Sequence, residues 1–475
     1  MRDDGHVLKH WNGRQTLAAA PVQVAIRWST AARVGRAARM RSGIYHLRLR
    51  AGIEMSIGNT LDNDIDVEQT WDVAVGLPAP TPSIARLPAF STAPAPAGPR
   101  ATRYTTYLGN LHSQTNHSDG GGALDHCTGS QAPQSAALGP TEAFGYAQRH
   151  GLDFLMTSEH NHMFDGSDGT NAGADPTAVK ALYQSGLRAA STWNLAHPGF
   201  LAVYGQEWGV INNGGHLNIL NSAELLGWER NAAGALLADT ATPRSDYASL
   251  YAQMRQRGWL GQFNHPRADQ FAIGGKPLAW TPDGDAAMVL CEVMNSNAFS
   301  RRDDESEPQH STYEAGCNKL LEAGYHIAFS SNQDNHCANW GASSPNRTGV
   351  LIERGHPLTA GTFLAALQAR RVYATMDKHA ELILTANGRM MGERFDNIGK
   401  LTLQVRYTGK RGQRPAAIKL FAGVPRRNGE VKVLSRKARA VFTPKAGAHF
   451  YYARVTQNDG KMLWSAPVWI NQRRR

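Results

Sequence analysis

The sequence predicts an α/β fold: a β/α barrel followed by an antiparallel β-sandwich. Three observations carry this reading. Between residues 104 and 376, short apolar runs alternate with helix-like segments, the pattern of a parallel sheet built from βα units. Five of those runs end in His, Asp or Glu, and the strands of a β/α barrel converge at their C-terminal ends on one face. After Asp377 the texture changes to short alternating runs punctuated by Asn387-Gly388, Asn428-Gly429 and Asn458-Asp459-Gly460, as in a sandwich.

Residues 1–77 hold an Arg-rich stretch (33–50) and an acidic one (62–72) without a sustained period, so partial disorder is expected there. Residues 78–103 are rich in Pro and Ala and read as a semi-rigid linker. Within 104–376, strands are predicted at 106–112, 152–158, 200–207, 216–220, 259–264, 288–294, 326–331 and 348–352. Helices are predicted at 141–150, 176–195, 244–257, 311–324 and 358–371. So many strands in that span fit a closed barrel better than an open sheet. The Gly- and Ser-rich stretches 121–140 and 165–175 read as loops over an active site. Residues 377–475 form the predicted sandwich, with strands around 381–384, 401–405, 417–421, 449–455 and 468–470.

The net charge of +11 hides a strong asymmetry. Residues 1–100 carry 12 basic and 8 acidic side chains, residues 101–369 carry 15 and 25, and residues 370–475 carry 23 and 6. The basic end can be a solvated surface or a surface for anions, including nucleic acid; it lacks the aromatic interleaving of RNA-binding modules. No run of about 20 apolar residues exists, so no transmembrane helix is predicted. The four cysteines include no CxxC pair, which argues against a zinc ribbon. Cys291 lies in an apolar run and reads as a buried core thiol. Cys127 and Cys337 each lie close to candidate ligands; whether the fold joins them is open at this point, and a disulfide between them would imply an oxidising compartment.

The chemistry-bearing residues sit at the ends of the predicted strands. Residues i and i+2 of a strand share a side, so His112 and Gln114 face one centre, with Asp119 following on the loop. His117 is either a ligand or loop surface. His160 ends the second strand; His162 contacts substrate or caps the loop. Glu207 ends the third strand and can bridge two metals, and His216 opens the next run. His265 ends the fourth, followed by Arg267, which meets an anionic substrate group or is a surface cation. Glu292 sits inside an apolar run, so it needs a partner, for which a ligand histidine is the natural choice. Asp334 and His336 again have i, i+2 spacing. Imidazoles and carboxylates together, with no clustered thiolate, suit Zn, Mn or Fe.

Taken together these segments resemble the PHP (polymerase and histidinol phosphatase) superfamily. The resemblance rests on Asn110-Leu111-His112-Ser113-Gln114-Thr115 with Ser118-Asp119-Gly120, on Gly151-Leu152-Asp153 with Glu159-His160-Asn161, on His265-Pro266 and on Asp334-Asn335-His336. Arg370 to Thr375 and Trp464 to Trp469 are similar to its CehA/McbA-type branch of carbaryl-hydrolase-like proteins. The resemblance implies a distorted (βα)7 TIM-like barrel with two or three divalent ions (Zn, Mn or Fe) at its C-terminal face. It implies one set of His112, Glu207 and Asp334, a second of Glu207, His216 and His265, and a third of Asp119, His160 and His336. Gln114 departs from the family, which usually has histidine there.

The implied activity is metal-dependent hydrolysis of a small-molecule ester, most simply a phosphoester attacked by metal-activated hydroxide. Glu207, His265, Arg267 and His162 are the candidate catalytic residues. Hydrolysis of a carbamate or carboxylester, or non-catalytic binding, is the alternative. Members of the branch often carry signal peptides, implying a secreted or periplasmic protein. Here the apolar patch Leu17–Ile26 is broken by Gln23 and followed by Arg27, a poor signal peptide.

Overall fold

A short connection between neighbouring strands forces them to run antiparallel. The computed structural model describes residues 10–13, 43–51, 67–75, 104–212, 214–427 and 431–474. Its contacts divide the chain into two units, residues 1–80 with 191–197, and residues 81–190 with 198–475. In the first, β1 (Gly43–Ala51) and β2 (Val67–Val75) form an antiparallel ladder from Gly43↔Val75 to Ala51↔Val67. This stretch was expected to lack a period, yet Val67, Trp71, Val73 and Val75 alternate with Glu68, Thr70, Asp72 and Ala74. The acidic composition hides that alternation. The linker expected at 78–103 lies outside the described residues.

The second unit begins with β3 (Tyr104–Asn110), α1 (Pro140–Arg149), β4 (Phe154–His160), α2 (Pro176–Ala196) and β5 (Leu201–Trp208). β6 (Leu217–Leu220), the two-residue β7 (Leu226–Gly227) and β8 (Thr240–Ala241), α3 (Tyr247–Arg257) and β9 (Leu260–Phe263) follow. Then come α4 (Pro282–Ala287), β10 (Met288–Ser296), β11 (His310–Thr312), α5 (Glu314–Ala323), β12 (Ala328–Asn332), β13 (Arg347–Glu353), α6 (Ala360–Gln368) and β14 (Val372–Thr375). The helices start where the sequence supplies caps. Pro140 and Glu142 open α1, Asp246 accepts from Ser249 N at α3, and Thr359 accepts from Thr362 N at α6. Gly258, with φ of 74°, stops α3 in the left-handed conformation that glycine tolerates best.

These strands form part of one large mixed sheet in the order β11-β10-β9-β6-β5-β4-β3-β13-β14, with β12 also on β10. The strands are mixed in direction, not all parallel as expected. β3–β4, β4–β5, β9–β10 and β10–β12 are parallel; β5–β6, β6–β9, β3–β13, β13–β14 and β10–β11 are antiparallel. The reason is connection length. Only residues 209–216 join β5 to β6, too few for the crossover that a parallel neighbour requires. The ladder does not close between β12 and β13. There Ser331 N donates to Thr348 Oγ1, which donates to Ser331 O, both at 3.0 Å.

The remaining strands make two layers. β15 (Glu381–Ala386), β16 (Arg389–Met390), β18 (Leu401–Thr408) and β21 (Arg439–Phe442) form a four-stranded antiparallel sheet. β17 (Arg394–Ile398), β19 (Pro415–Gly423), β20 (Lys432–Ser435), β22 (Gly447–Gln457), β23 (Met462–Ser465) and β24 (Val468–Arg473) belong to the large sheet, which β23 joins by pairing with β14. Alternation sets which face is buried: in β18, Leu401, Leu403 and Val405 are buried while Gln404 and Arg406 are exposed. Those side chains share a core with Leu420, Val455 and Ile470 across the layer and with Val350 of β13 and Leu367 of α6. Each such aliphatic side chain contributes about 1.5–3 kcal/mol by leaving water.

Two disulfides are present. Cys127–Cys337 joins the pair whose state the sequence left open. Cys291, expected as a free core thiol, is instead bonded to Cys317. Burial was right and the thiol state wrong, because Tyr313 N→Val293 O and the start of α5 carry Cys317 back over β10. Mass spectrometry without reductant should find no free thiol. Replacing either cystine by serines should cost about 2–4 kcal/mol in chemical denaturation.

Candidate metal centre

Glu207 lies in β5, in register with His160 of β4, at the C-terminal ends of two parallel strands. It is completely buried. A buried carboxylate needs compensating polar neighbours, and here four histidine rings surround it. Its Oε1 lies 2.9 Å from His216 Nδ1 and 3.5 Å from His265 Nε2. Its Oε2 lies 3.0 Å from His112 Nε2 and 3.5 Å from His160 Nδ1. Asn264 Nδ2 donates to Oε1 and Gln114 Nε2 to Oε2, both at 2.7 Å.

Three groups are close enough to hold a metal: His112–Glu207–His265, His160–Glu207–His216 and Asp119–His160–His336. The last is the third set implied by the resemblance. The other two redistribute the implied sets, with His265 beside His112 and His216 beside His160. Asp334 joins the first group, its Oδ1 3.0 Å from His112 Nε2. In the third, Asp119 Oδ1 is 3.7 Å from His160 Nε2 and its Oδ2 is 3.6 Å from His336 Nε2.

The donor set fits a bound cation. His112 Nε2 faces carboxylate oxygens of both Glu207 and Asp334 with one N–H to share. Asp119 Oδ1 and His160 Nδ1 are buried without a hydrogen-bond partner. Divalent ions at these groups would satisfy these atoms, which protons alone do not. Two ligands also hold unusual backbone: His265 has φ of 30° and Asp334 of 51°, in the left-handed region where non-glycine residues are strained.

Titration follows the same crowding. Burial raises the Glu207 carboxyl, but His112, His216 and His160 outweigh it and hold the group well below the usual range. Burial raises Asp334 too, yet His112 and His336 bring it down to about 2. Burial lowers His112, and Asp334, Glu207 and Glu292 more than offset this, so His112 stands well above an ordinary histidine. His216 is lowered, chiefly by burial and by its histidine neighbours.

Glu292 takes the role expected of it. Its Oε1 is 3.0 Å from His112 Nδ1 and its Oε2 accepts from His265 N at 2.9 Å, which fixes which His112 nitrogen faces Glu207. Gln114 lies in the cluster as a donor to Glu207, while its Oε1 accepts from Ser118 Oγ at 3.2 Å. His162 is buried at the rim, its ring stacked 6.1 Å from Trp228, and burial with His160 and His216 lowers it to about 4. Arg267 is half-exposed with Nε 3.6 Å from Asp269, so it borders the site and is not one of the gathered groups. His117 is turned away, its Nδ1 2.7 Å from Tyr204 OH.

The sequence reading missed a ring of buried amides and one carboxylate. Asn264 and Asn218 are linked at 2.8 Å behind Glu207, and Asn332 Nδ2 donates to Glu292 at 3.1 Å. Glu159 accepts from Thr115 N, Thr115 Oγ1 and Ser118 Oγ, and so fastens the loop between Gln114 and Asp119. The amides stand at strand ends beside the ligands, a signal that was available but is weak for a neutral side chain.

No family model and no curated protein matches this chain. Among solved structures, the chain is similar to an engineered protein at 11% identity, over 70% of this chain and 80% of that one, with a TM-score of 0.16. Similarity at that level supports no structural or functional transfer.

Two outcomes test this geometry. Glu292→Ala should weaken metal binding about 10–100-fold by calorimetric titration, since it frees His112 and the backbone at His265. Glu229, near the rim, is raised to about 7, chiefly by burial and also by Asp165. An acid raised on folding holds its proton in the native state after the unfolded chain has lost it, so stability falls as pH rises from ~4.5 to ~7. Glu229→Gln should therefore raise the melting temperature more at pH 8 than at pH 4.5.

Proposed function

We propose that the chain is a metal-dependent hydrolase acting on small-molecule phosphoric esters. The observation that carries this is that Glu207 belongs to two metal-capable groups at once, one with His112 and His265 and one with His160 and His216. A carboxylate split between two histidine pairs is the donor arrangement of a bridging ligand in a two-metal hydrolytic site. The adjoining Asp119–His160–His336 group offers a third position. Bound divalent ions would supply Lewis-acid polarisation of the ester and activation of water at neutral pH.

The chain's own groups have distinct tasks in this reading. Glu292 orients His112, and Asn264 and Gln114 hold the Glu207 carboxylate between the two histidine pairs. His162, neutral near pH 7, flanks substrate without repelling the cations. Arg267 meets an anionic substrate from the rim. The distorted (βα)7 barrel with an appended sandwich remains part of this proposal, supported by strands β3, β4 and β5 running parallel with ligands at their C-terminal ends. Zn, Mn and Fe all suit the ligand set.

A second reading, hydrolysis of a neutral carbamate or carboxylester, is favoured by one observation: Arg267 lies beside Asp269, which matches its charge. The two disulfides support an oxidising compartment, secreted or periplasmic, as a further part of the proposal. No described helix is long and apolar enough to cross a membrane.

Purified protein should contain divalent metal by mass spectrometry and hydrolyse p-nitrophenyl phosphate or its bis ester faster than 1-naphthyl N-methylcarbamate. Asp334→Ala should lower kcat at least about 100-fold, on the scale of losing one charge-stabilising group. The reverse substrate order would select the carbamate reading. Metal without any turnover would favour a binding protein.

A further inference from the structure

The three ligand groups are not built alike. Around Glu207, each ligand lies on a strand or within two residues of a strand end: His112 after β3, His160 in β4, Glu207 in β5, His216 before β6 and His265 after β9. The third group takes only His160 from a strand. Asp119 stands on the long connection between β3 and α1, and His336 on the loop between β12 and β13. Nothing in the sheet ladder fixes their separation.

Contacts between the two loops set that separation instead. Gly121 N donates to His336 O and Ala338 N to Gly122 O, both at 2.9 Å. Between these bonds, Gly122 and Cys337 form an isolated parallel bridge. Cys337 is bonded to Cys127, and both are fully buried. The cystine thus follows His336 by one residue and closes the far end of the loop bearing Asp119. The other disulfide joins Cys291 of β10 to Cys317 of α5 and touches neither loop.

We infer that the Cys127–Cys337 disulfide is a positioning element for the Asp119–His160–His336 site, and that this site can be lost separately from the pair of groups sharing Glu207. The inference rests on the metal-binding reading above. Removing the cross-link leaves hydrogen bonds alone, the two given above together with Gln114 N→Asn335 O and Trp340 Nε1→Gln114 O at 2.8 Å, to hold the two loops at ligand distance. Metal affinity at this site therefore falls while the strand-borne groups keep theirs. The scale is about 10–100-fold, that of losing an outer support of a ligand.

The test is a double-mutant cycle read by zinc titration and metal content of the full chain, not by turnover. Cys127→Ser/Cys337→Ser should lose the zinc that Asp119→Asn loses, and adding Asp119→Asn to the serine variant should cause no further loss. Cys291→Ser/Cys317→Ser should keep it. Additive losses, or unchanged zinc in the Cys127/Cys337 variant, would overturn the inference and leave the metal reading standing. A parent protein that holds no zinc, manganese or iron and takes up no zinc on titration would overturn both. Should the serine variant not fold, linkage offers a second measurement on the native chain, because coupling between two sites is reciprocal. Zinc should shift the glutathione ratio at which Cys127–Cys337 is half reduced, and Asp119→Asn should abolish that shift. An equal shift in both proteins would count against the proposal.

Discussion

The buried carboxylate of Glu207 is the constraint around which the site is organised. An ion removed from water costs several kcal/mol unless its neighbourhood replaces the lost hydration. Here the replacement is supplied by His112, His160, His216, His265, Gln114 and Asn264, six residues from four segments of the chain. None is adjacent to Glu207 in sequence, so the strands must be in register before the charge is compensated. The chemistry of the site and the specificity of the fold are in that sense one problem. Glu292 extends the arrangement outward, tying His112 to the backbone at His265.

Much of this was legible in the sequence because buried strands declare themselves as apolar runs. The strands at 152–158, 200–207 and 288–294 and the helices at 141–150 and 176–195 lie within a few residues of β4, β5, β10, α1 and α2. Their terminal His, Asp and Glu residues were conspicuous because such groups are rare against apolar runs. Strand direction was less accessible. An apolar run reads the same in either sense, and only the shortness of residues 209–216 reveals that β6 turns back on β5. The pairing of β14 with β23 was invisible for a related reason: partners some 90 residues apart leave no local pattern.

Side-chain roles divide along the same line. Charged candidates at strand ends were found, and His112, Asp119, His160, Glu207, His216, His265, Asp334 and His336 do come together. Neutral supports such as Asn264 and Asn218 were not found, since an amide in a sequence gives no hint of which carboxylate it will meet. The state of Cys291 failed similarly. Its burial was readable from its neighbours, whereas its bond to Cys317 depends on where α5 settles over β10.

The hydrogen-bonded continuity from β14 into β23 has a consequence for how this protein could have been assembled. A module gained by simple fusion can be cut away again and leave a finished surface behind. Here a cut after Thr375 would bare the edge of β14 and strip the cover from Val350 and Leu367, which share their core with Leu403 and Val455. A raw edge over an uncovered core invites association with other chains. The last hundred residues are accordingly not cargo carried by an independent body that bears the metal-type residues; they share its sheet and its core, and changes in one part bear on the other.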